Sequence, residues 1–275
     1  MAPKDGLGYS AGLPYRVDIS SPPPECLDVL VQLGALDIEA VNTGVAAILP
    51  DVVTPDRLAG ALQVSSMTVS PAVARDNDSV WLLSPRVVRI GGVLIAPPEA
   101  IAPCNALRLI DSTTFGTGHH PTTALCIEAI EEILTAERMD SVLDVGTGSG
   151  ILALTALMLG VPQAVGLDID ADAVKVAAEN TRLNQLENRL KLIIGGPDVV
   201  HGSWPLVVAN LIAAALIDMA PVLVRRLASR GRLVLSGIRS SLESEVRQAY
   251  EHFGVRIIDS NRRAGWTVFS ARASW

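Results

Sequence analysis

The chain of 275 residues has three cysteines, Cys26, Cys104 and Cys126, far apart in sequence and without a C-x-x-C pair. An odd, scattered set excludes a disulfide framework, and the three are expected to be ordinary, mostly buried thiols in a reducing compartment. Histidine is scarce: His119, His120, His201 and His252 are too few and too dispersed for the three or four protein ligands of a zinc site, so no metal is expected. Basic charge is also short. With 22 Lys and Arg against 29 Asp and Glu the net charge is -7. A general nucleic-acid binder needs the opposite balance, whereas an acidic chain suits a basic partner. No apolar run spans a bilayer: ILALTALMLGV is too short, and VVANLIAAALIDMAPVLV is interrupted by Asn210, Asp218 and Pro221. The opening MAPKDGLGYS lacks the charged-then-apolar pattern of a signal peptide. A soluble, cytoplasmic protein is expected. Aromatics are only 4% while 49% of residues are hydrophobic, so the core must be built from Ala, Val, Leu and Ile.

What is present falls into three stretches. Residues 1–75 read as a small α+β domain. LPYRVDIS alternates like a half-buried strand, and PPPECLDVLVQLGA reads as a helix opened by proline and closed by Gly34. LDIEAVNTGVAAILP reads as two strands around an Asn-Thr-Gly turn, TPDRLAGAL as a helix and MTVSPAVAR as a strand. That order is the ferredoxin-like split βαβ. Residues 76–112 read as a linker with strand-like pieces VWLLS, RVVRI and VLIA. From 113 to 275 strands and helices alternate, which predicts a mostly parallel, doubly wound sheet covered on both faces, ending in the hairpin-like pair GVRIIDS and WTVFSARA.

The chemistry concentrates at Val142-Leu143-Asp144-Val145-Gly146-Thr147-Gly148-Ser149-Gly150, at the end of a predicted strand and the start of a predicted helix. Gly146, Gly148 and Gly150 permit a tight turn and let a ligand approach the backbone. The next strand ends in Asp168, 22 residues after Gly146, where a carboxylate accepts the ribose hydroxyls of a nucleoside. A dinucleotide fingerprint would read G-x-G-x-x-G; here the third glycine comes one residue early and Ile151 takes its place. Asp144, two residues before the first glycine, sits poorly beside a pyrophosphate and suits a cation. S-adenosylmethionine carries an ammonium and a sulfonium and no phosphate.

FGTGHHPTT, LDVGTGSGILALTAL, VGLDIDADAVKVAAENTRLN, VVANLIAAAL and GRLVLSGI, in this order over roughly residues 107–240, resemble the PrmA family of ribosomal protein methyltransferases. The resemblance implies a class I methyltransferase sheet of seven strands preceded by a small ferredoxin-like substrate-recognition domain, and S-adenosylmethionine as cofactor. It implies an enzyme that trimethylates amino groups of large-subunit ribosomal protein eleven. It also implies cofactor contacts at Thr123, Gly146, Asp168 and Asn210. One segment departs from the family pattern W-x-x-x-W followed by F-x-P: this chain has only Asp78-Ser79-Val80-Trp81-Leu82-Leu83-Ser84-Pro85.

In the His119-His120 pair, the first is read as loop surface and the second as a structural or orienting residue, with direct catalysis the alternative. Thr122 and Thr123 are expected to cap the following helix, and the FGTG segment to be a mobile lid hinged on its glycines. Asn210 has two readings: an N-cap for the helix that follows, or a hydrogen-bond acceptor for the incoming amine, and hence the catalytic residue. No dedicated base stands out; a lysine amine at pH 7 loses its proton at a cost of about 5 kcal/mol, and water is the default acceptor. The rival readings are the same cofactor site with another acceptor, a non-catalytic module that binds S-adenosylmethionine, and a nicotinamide-dependent oxidoreductase, which Asp144 and the glycine spacing disfavour.

Overall fold

The computed structural model describes residues 12–42, 44–64, 67–76 and 79–275. The backbone divides into two units, Met1–Pro85 and Arg86–Trp275, a boundary within the stretch read above as a linker.

In the first unit the elements run β1 (Tyr15–Ser20), α1 (Cys26–Gln32), β2 (Asp37–Val41), β3 (Gly44–Leu49), α2 (Pro55–Leu62) and β4 (Thr68–Pro71). They form an antiparallel sheet in the order β2-β3-β1-β4, the ferredoxin-like arrangement. Alternation on β1 turns Tyr15, Val17 and Ile19 inward against Leu30 of α1 and Leu58 and Leu62 of α2. Proline and a cap start α2: Pro55 takes the first helical position and Thr54 Oγ1 accepts the Arg57 N–H at 3.3 Å. The Asn-Thr-Gly turn includes Thr43, which lies outside the described residues. The linker pieces are shorter than expected. Val80–Trp81, β6, pairs with Ala74–Arg75, β5, and the backbone then leaves strand geometry: Leu83 N–H and Ser84 Oγ donate to the carboxylates of Asp37 (2.8 Å) and Glu39 (2.6 Å).

The second unit opens with a small sheet of β7 (Val88–Ile90), β8 (Val93–Ala96) and β9 (Leu107–Arg108). It continues with α3 (Pro121–Ala136), β10 (Ser141–Val145), α4 (Ile151–Met158), β11 (Gln163–Asp168), α5 (Ala171–Leu183), β12 (Leu190–Ile194) and β13 (Trp204–Asn210). The rest is α6 (Ala213–Arg225), β14 (Leu227–Arg239), α7 (Glu243–Glu251), β15 (Val255–Arg263) and β16 (Trp266–Ala273). Seven strands pair in the order β12-β11-β10-β13-β14-β16-β15, parallel except for β16, which inserts antiparallel between β14 and β15. The strand-helix alternation is thus the doubly wound sheet expected from sequence, with the terminal hairpin at its edge. One core layer joins α3, α4 and the small sheet to one face; a second joins α6 and α7 to the other. The near-continuous apolar runs of β10 and β13 follow from burial on both faces.

One boundary differs from the sequence reading and bears on the site. Helix α6 begins at Ala213, so Leu211 and Ile212 stay extended. The reason lies across the sheet at Gly237, φ +81, beside an irregularity in the β14–β16 pairing: a Cβ there would stand 2.1 Å from the Leu211 carbonyl oxygen. Leu211 N–H in turn donates to the Ser236 carbonyl at 3.0 Å. A Gly237→Ala variant should therefore lose at least ~2–3 kcal/mol of stability from backbone strain and displacement of Leu211, read as a fall in Tm of several degrees.

Candidate active site

The residues singled out from sequence gather at the carboxyl ends of β10, β11 and β13, where ligand sites of open α/β sheets form. Registers place them: Val145 aligns with Leu167 on one side and Ala209 on the other, so Gly146, Asp168 and Asn210 emerge side by side. Gly146 N–H donates to the Leu167 carbonyl at 2.8 Å. At Gly148, φ +55, a Cβ would lie 2.6 Å from the Phe115 carbonyl oxygen, so only glycine fits, and its N–H donates to Asp168 Oδ2 at 2.9 Å. Gly150 precedes α4 and supplies its first helical carbonyl, to Leu154 N–H at 2.9 Å. Asp168 Oδ1 accepts Asp170 N–H at 3.0 Å. Gly148→Ala is expected to force the FGTG segment off the glycine loop and to weaken cofactor binding at least ~10-fold by calorimetry.

Asp144 is wholly buried beneath the loop. Its Oδ2 accepts Thr147 Oγ1 at 2.7 Å and Ala153 N–H at 3.2 Å. Burial, opposed by the two hydrogen bonds and reinforced by the charge of Asp168, pushes its pKa up to about 6. Its other oxygen, Oδ1, has no hydrogen-bond partner.

The histidine loop is built around α3. His120, not Thr122 or Thr123, is the N-cap: its Nδ1 accepts Thr122 N–H at 3.3 Å, which makes Nδ1 the unprotonated ring nitrogen. The Thr122 hydroxyl, 2.7 Å away, then donates to the same nitrogen, and Asn210 Nδ2 donates to Thr122 Oγ1 at 3.2 Å. The His120 ring is held edge-on between Phe115 and Trp266, both centroids 5.2 Å distant. The sequence suggested the cap because threonine is a common N-cap; proline at the first helical position moves the cap back to the residue before it. His119 is half-buried rather than loop surface. The FGTG segment is fastened to the glycine loop: Ser149 N–H donates to the Phe115 carbonyl at 3.0 Å and Ser149 Oγ to the Gly116 carbonyl at 2.6 Å.

Asn210 does not cap α6. The residue before that helix is Ile212, which offers no side-chain cap, and Asn210 ends β13 with its amide turned to Thr122. Its Oδ1 is buried without a partner, as is Thr123 Oγ1. Three orphaned polar atoms, on Thr123, Asp144 and Asn210, thus accompany the glycine cradle. Buried groups without partners carry a desolvation penalty of about 1–3 kcal/mol each, which a ligand relieves. The donor set fits S-adenosylmethionine: Asp168 offers a carboxylate for ribose hydroxyls and Asp144 one for a cation.

Two sets of residues escaped the sequence reading. Asn180 of α5 donates to the Ser149 carbonyl at 2.8 Å and accepts Ile110 N–H at 2.9 Å, tying the glycine loop to the strand end before FGTG. Its signal was a polar residue on the apolar stripe of α5. Asn180→Leu should lower Tm and cofactor affinity together, about 2–4 kcal/mol in stability, because the two backbone groups it serves stay buried and unpaired. Ile169 and Ile194 are 83% and 58% exposed beside Asp168, with which Ile194 is in register, and offer apolar surface for a planar base. Apolar residues just past a strand end were the available signal. Of the cysteines, Cys26 and Cys126 are buried and Cys104 is exposed. Among the described residues no group of His, Cys, Asp and Glu is placed to hold a metal.

The family model for ribosomal protein L11 methyltransferase (PrmA) matches residues 87–274. The chain belongs to this family. A ribosomal protein L11 methyltransferase of Geobacter sulfurreducens is 40% identical over 212 residues, 74% of this chain and 69% of the relative. One from Myxococcus xanthus is 33% identical over 224 residues, 77% of this chain and 74% of the relative. The solved structure of a ribosomal protein L11 methylase from Lactobacillus delbrueckii subsp. bulgaricus superposes with a TM-score of 0.62 at 30% identity, covering 68% of this chain and 98% of that one. This PrmA-family chain is a methyltransferase of the class I fold, with S-adenosylmethionine as its cofactor.

Proposed function

We propose that this PrmA-family enzyme transfers methyl groups from S-adenosylmethionine to amino groups, lysine side chains or the N-terminal amine, of ribosomal protein L11. The observation that supports it most is the Asn210–Thr122–His120 chain beside the glycine cradle, which leaves Asn210 Oδ1 buried without a partner. S-adenosylmethionine supplies a methyl group already activated by the sulfonium. Asp168 accepts the ribose hydroxyls, Asp144 faces the cationic methionine end, and Gly146, Gly148 and Gly150 admit the nucleoside to the backbone. Thr123 Oγ1 lends a further hydrogen bond. Asn210 Oδ1 accepts a hydrogen from the acceptor amine and so fixes the direction of its lone pair; His120, through Thr122, holds the Asn210 amide in that rotamer. Proton loss goes to water, since no side chain at the site is placed as a base. Between turnovers, trimethylation would need release of the demethylated cofactor and entry of a fresh one, loss of a proton from the methylated amine, and rotation of that amine.

In this reading residues 1–75 recognise the acceptor, 76–112 link, and 113–275 catalyse. The acceptor is a basic protein, nucleic acid and membrane take no part, and the reaction is cytoplasmic. No described helix is long and apolar enough to cross a membrane. Asn210→Ala tests the chemistry: kcat on ribosomal protein L11 should fall about 100-fold or more while cofactor affinity falls less than about tenfold. An unchanged kcat would remove Asn210 from catalysis.

A further inference from the structure

In a chain of net charge -7, one patch away from the cofactor site gathers the opposite sign. Arg232 of β14, Arg272 of β16 and Arg256 of β15 stand directly opposite one another across three neighbouring strands. Their chain neighbours Leu233, Val255, Ala271 and Ala273 are buried in the core layer of α6 and α7, so strand alternation puts all three arginines on the α3 face. Like charges directly opposite each other on one sheet face repel and weaken the pairing. The row therefore carries an electrostatic cost that strand pairing does not require.

One carboxylate serves the row. Glu137, which follows α3, accepts Arg232 Nη1 on its Oε1 at 2.9 Å and Arg272 Nη2 on the same oxygen. The Nε–H groups of Arg232 and Arg272 are buried without an acceptor. The side chain of Arg256 is exposed, and among the described residues it makes no hydrogen bond or ion pair. Arginines elsewhere on this sheet are paired one to one, as in Arg263–Glu128 and Arg262–Glu243. Here three guanidinium groups against one carboxylate leave two positive charges uncompensated.

We propose that the Arg232–Arg272–Arg256 row is an anion site for a small oxyanion of the phosphate class, held by the open flank of Arg272 and Arg256. Cross-strand partners stand about 5 Å apart, so both guanidinium groups reach one tetrahedral ion, and each offers a planar fork of N–H donors that matches its oxygens. The Arg272 side chain is 39% exposed and accessible; that of Arg232, 14% exposed, contributes charge rather than contact. Glu137 shows why a single carboxylate is the poorer occupant: one of its oxygens is shared by two guanidinium groups and two N–H groups go unserved. A phosphate dianion offsets both surplus charges and brings further acceptor oxygens. The row is separate from the methyl-transfer site. Arg232 is level with Leu206 and Ser236 with Asn210, four residues further on, about 13 Å along the sheet. The inference is therefore independent of the acceptor proposed above.

Calorimetric titration of the full chain with inorganic phosphate, against sodium chloride at the same ionic strength, tests it. Wild type should bind phosphate with a Kd of about 1 mM or tighter and melt at a higher temperature in phosphate than in chloride. Arg256→Gln, whose side chain has no partner to lose, should keep the chloride melt and the cofactor affinity of the parent and bind phosphate about fivefold more weakly or worse. Glu137→Gln removes the competing negative charge and keeps an acceptor oxygen, so it should bind phosphate about threefold more tightly or better. Glycerol phosphate as a second titrant separates the sources: tighter binding than phosphate assigns the site to an organic phosphate, and equal or weaker binding to the free ion. Equal wild-type melts in phosphate and chloride, an unchanged phosphate affinity in Arg256→Gln, or no gain in Glu137→Gln overturns the site.

Discussion

An Asp168→Ala variant should bind S-adenosylmethionine about 100- to 1000-fold more weakly by calorimetry, and methyl transfer at ordinary cofactor concentrations should disappear. The size follows from what the carboxylate does. Each hydrogen bond to a charged group is worth about 1.5–3 kcal/mol, and two ribose hydroxyls would be lost together. The same carboxylate also fastens the glycine loop through Gly148 N–H and starts the turn into α5 through Asp170 N–H, so the empty cradle loosens as well. Asp168→Asn is the milder change: it retains one acceptor oxygen and so keeps only one of the two backbone bonds, should lower the melt less than Asp168→Ala, and should lose about tenfold in affinity. Equal affinity in parent and alanine variant would take Asp168 out of the cofactor site.

The second large effect concerns Asp144 and has opposite signs for binding and for stability. Burial raises its pKa to about 6, above the ordinary carboxylate value of 3.8. A raised carboxylate pKa means that the folded state binds the proton more tightly than the unfolded chain. The burial penalty is therefore fully present above pH 6 and is relieved as pH falls toward 3.8. Cofactor affinity runs the other way, since only the ionised carboxylate attracts a cationic ligand: affinity should fall about tenfold per pH unit below pH 6. In Asp144→Asn both dependences should vanish. Its affinity should be low and flat between pH 5 and 8, and its Tm relative to wild type should be most favourable at pH 7.5 and decline toward pH 5. Titration of cofactor binding and of thermal melts on the two proteins checks this. A wild-type affinity that is level through pH 6 would place the positive end of the ligand elsewhere.

Much of this arrangement was legible in the residues. The glycine loop and Asp168 announce themselves because tight turns and ribose recognition demand particular side chains at particular spacings, and the strand-helix alternation fixes where they meet. The terminal hairpin of β15 and β16 was readable from the two apolar runs after α7. What sequence patterns miss are contacts closed through space. Threonine propensity pointed to Thr122 and Thr123 as caps, but Pro121 hands the cap to His120, and the bond between Asn210 and Thr122 spans 88 residues. Preference for an N-cap near LIAAAL suggested Asn210, but the constraint at Gly237 keeps Leu211 and Ile212 extended and moves the helix start onward. FGTG looked like a free lid because its glycines are flexible in isolation; Ser149 and Gly148, over thirty residues on, determine its attachment. Asn180 left only a polar residue on the apolar stripe of α5, which gives no hint of the backbone groups it will serve.

The most direct test of the central claim is the intact mass of recombinant ribosomal protein L11 after incubation with the enzyme and S-adenosylmethionine, followed by mapping of the modified amines. Mass gains in whole methyl increments on amino groups, abolished in Asp168→Ala and strongly slowed in Asn210→Ala, are the expected result. An unmodified L11, under conditions where calorimetry shows the cofactor bound, would contradict the account and leave a cofactor site in search of another acceptor.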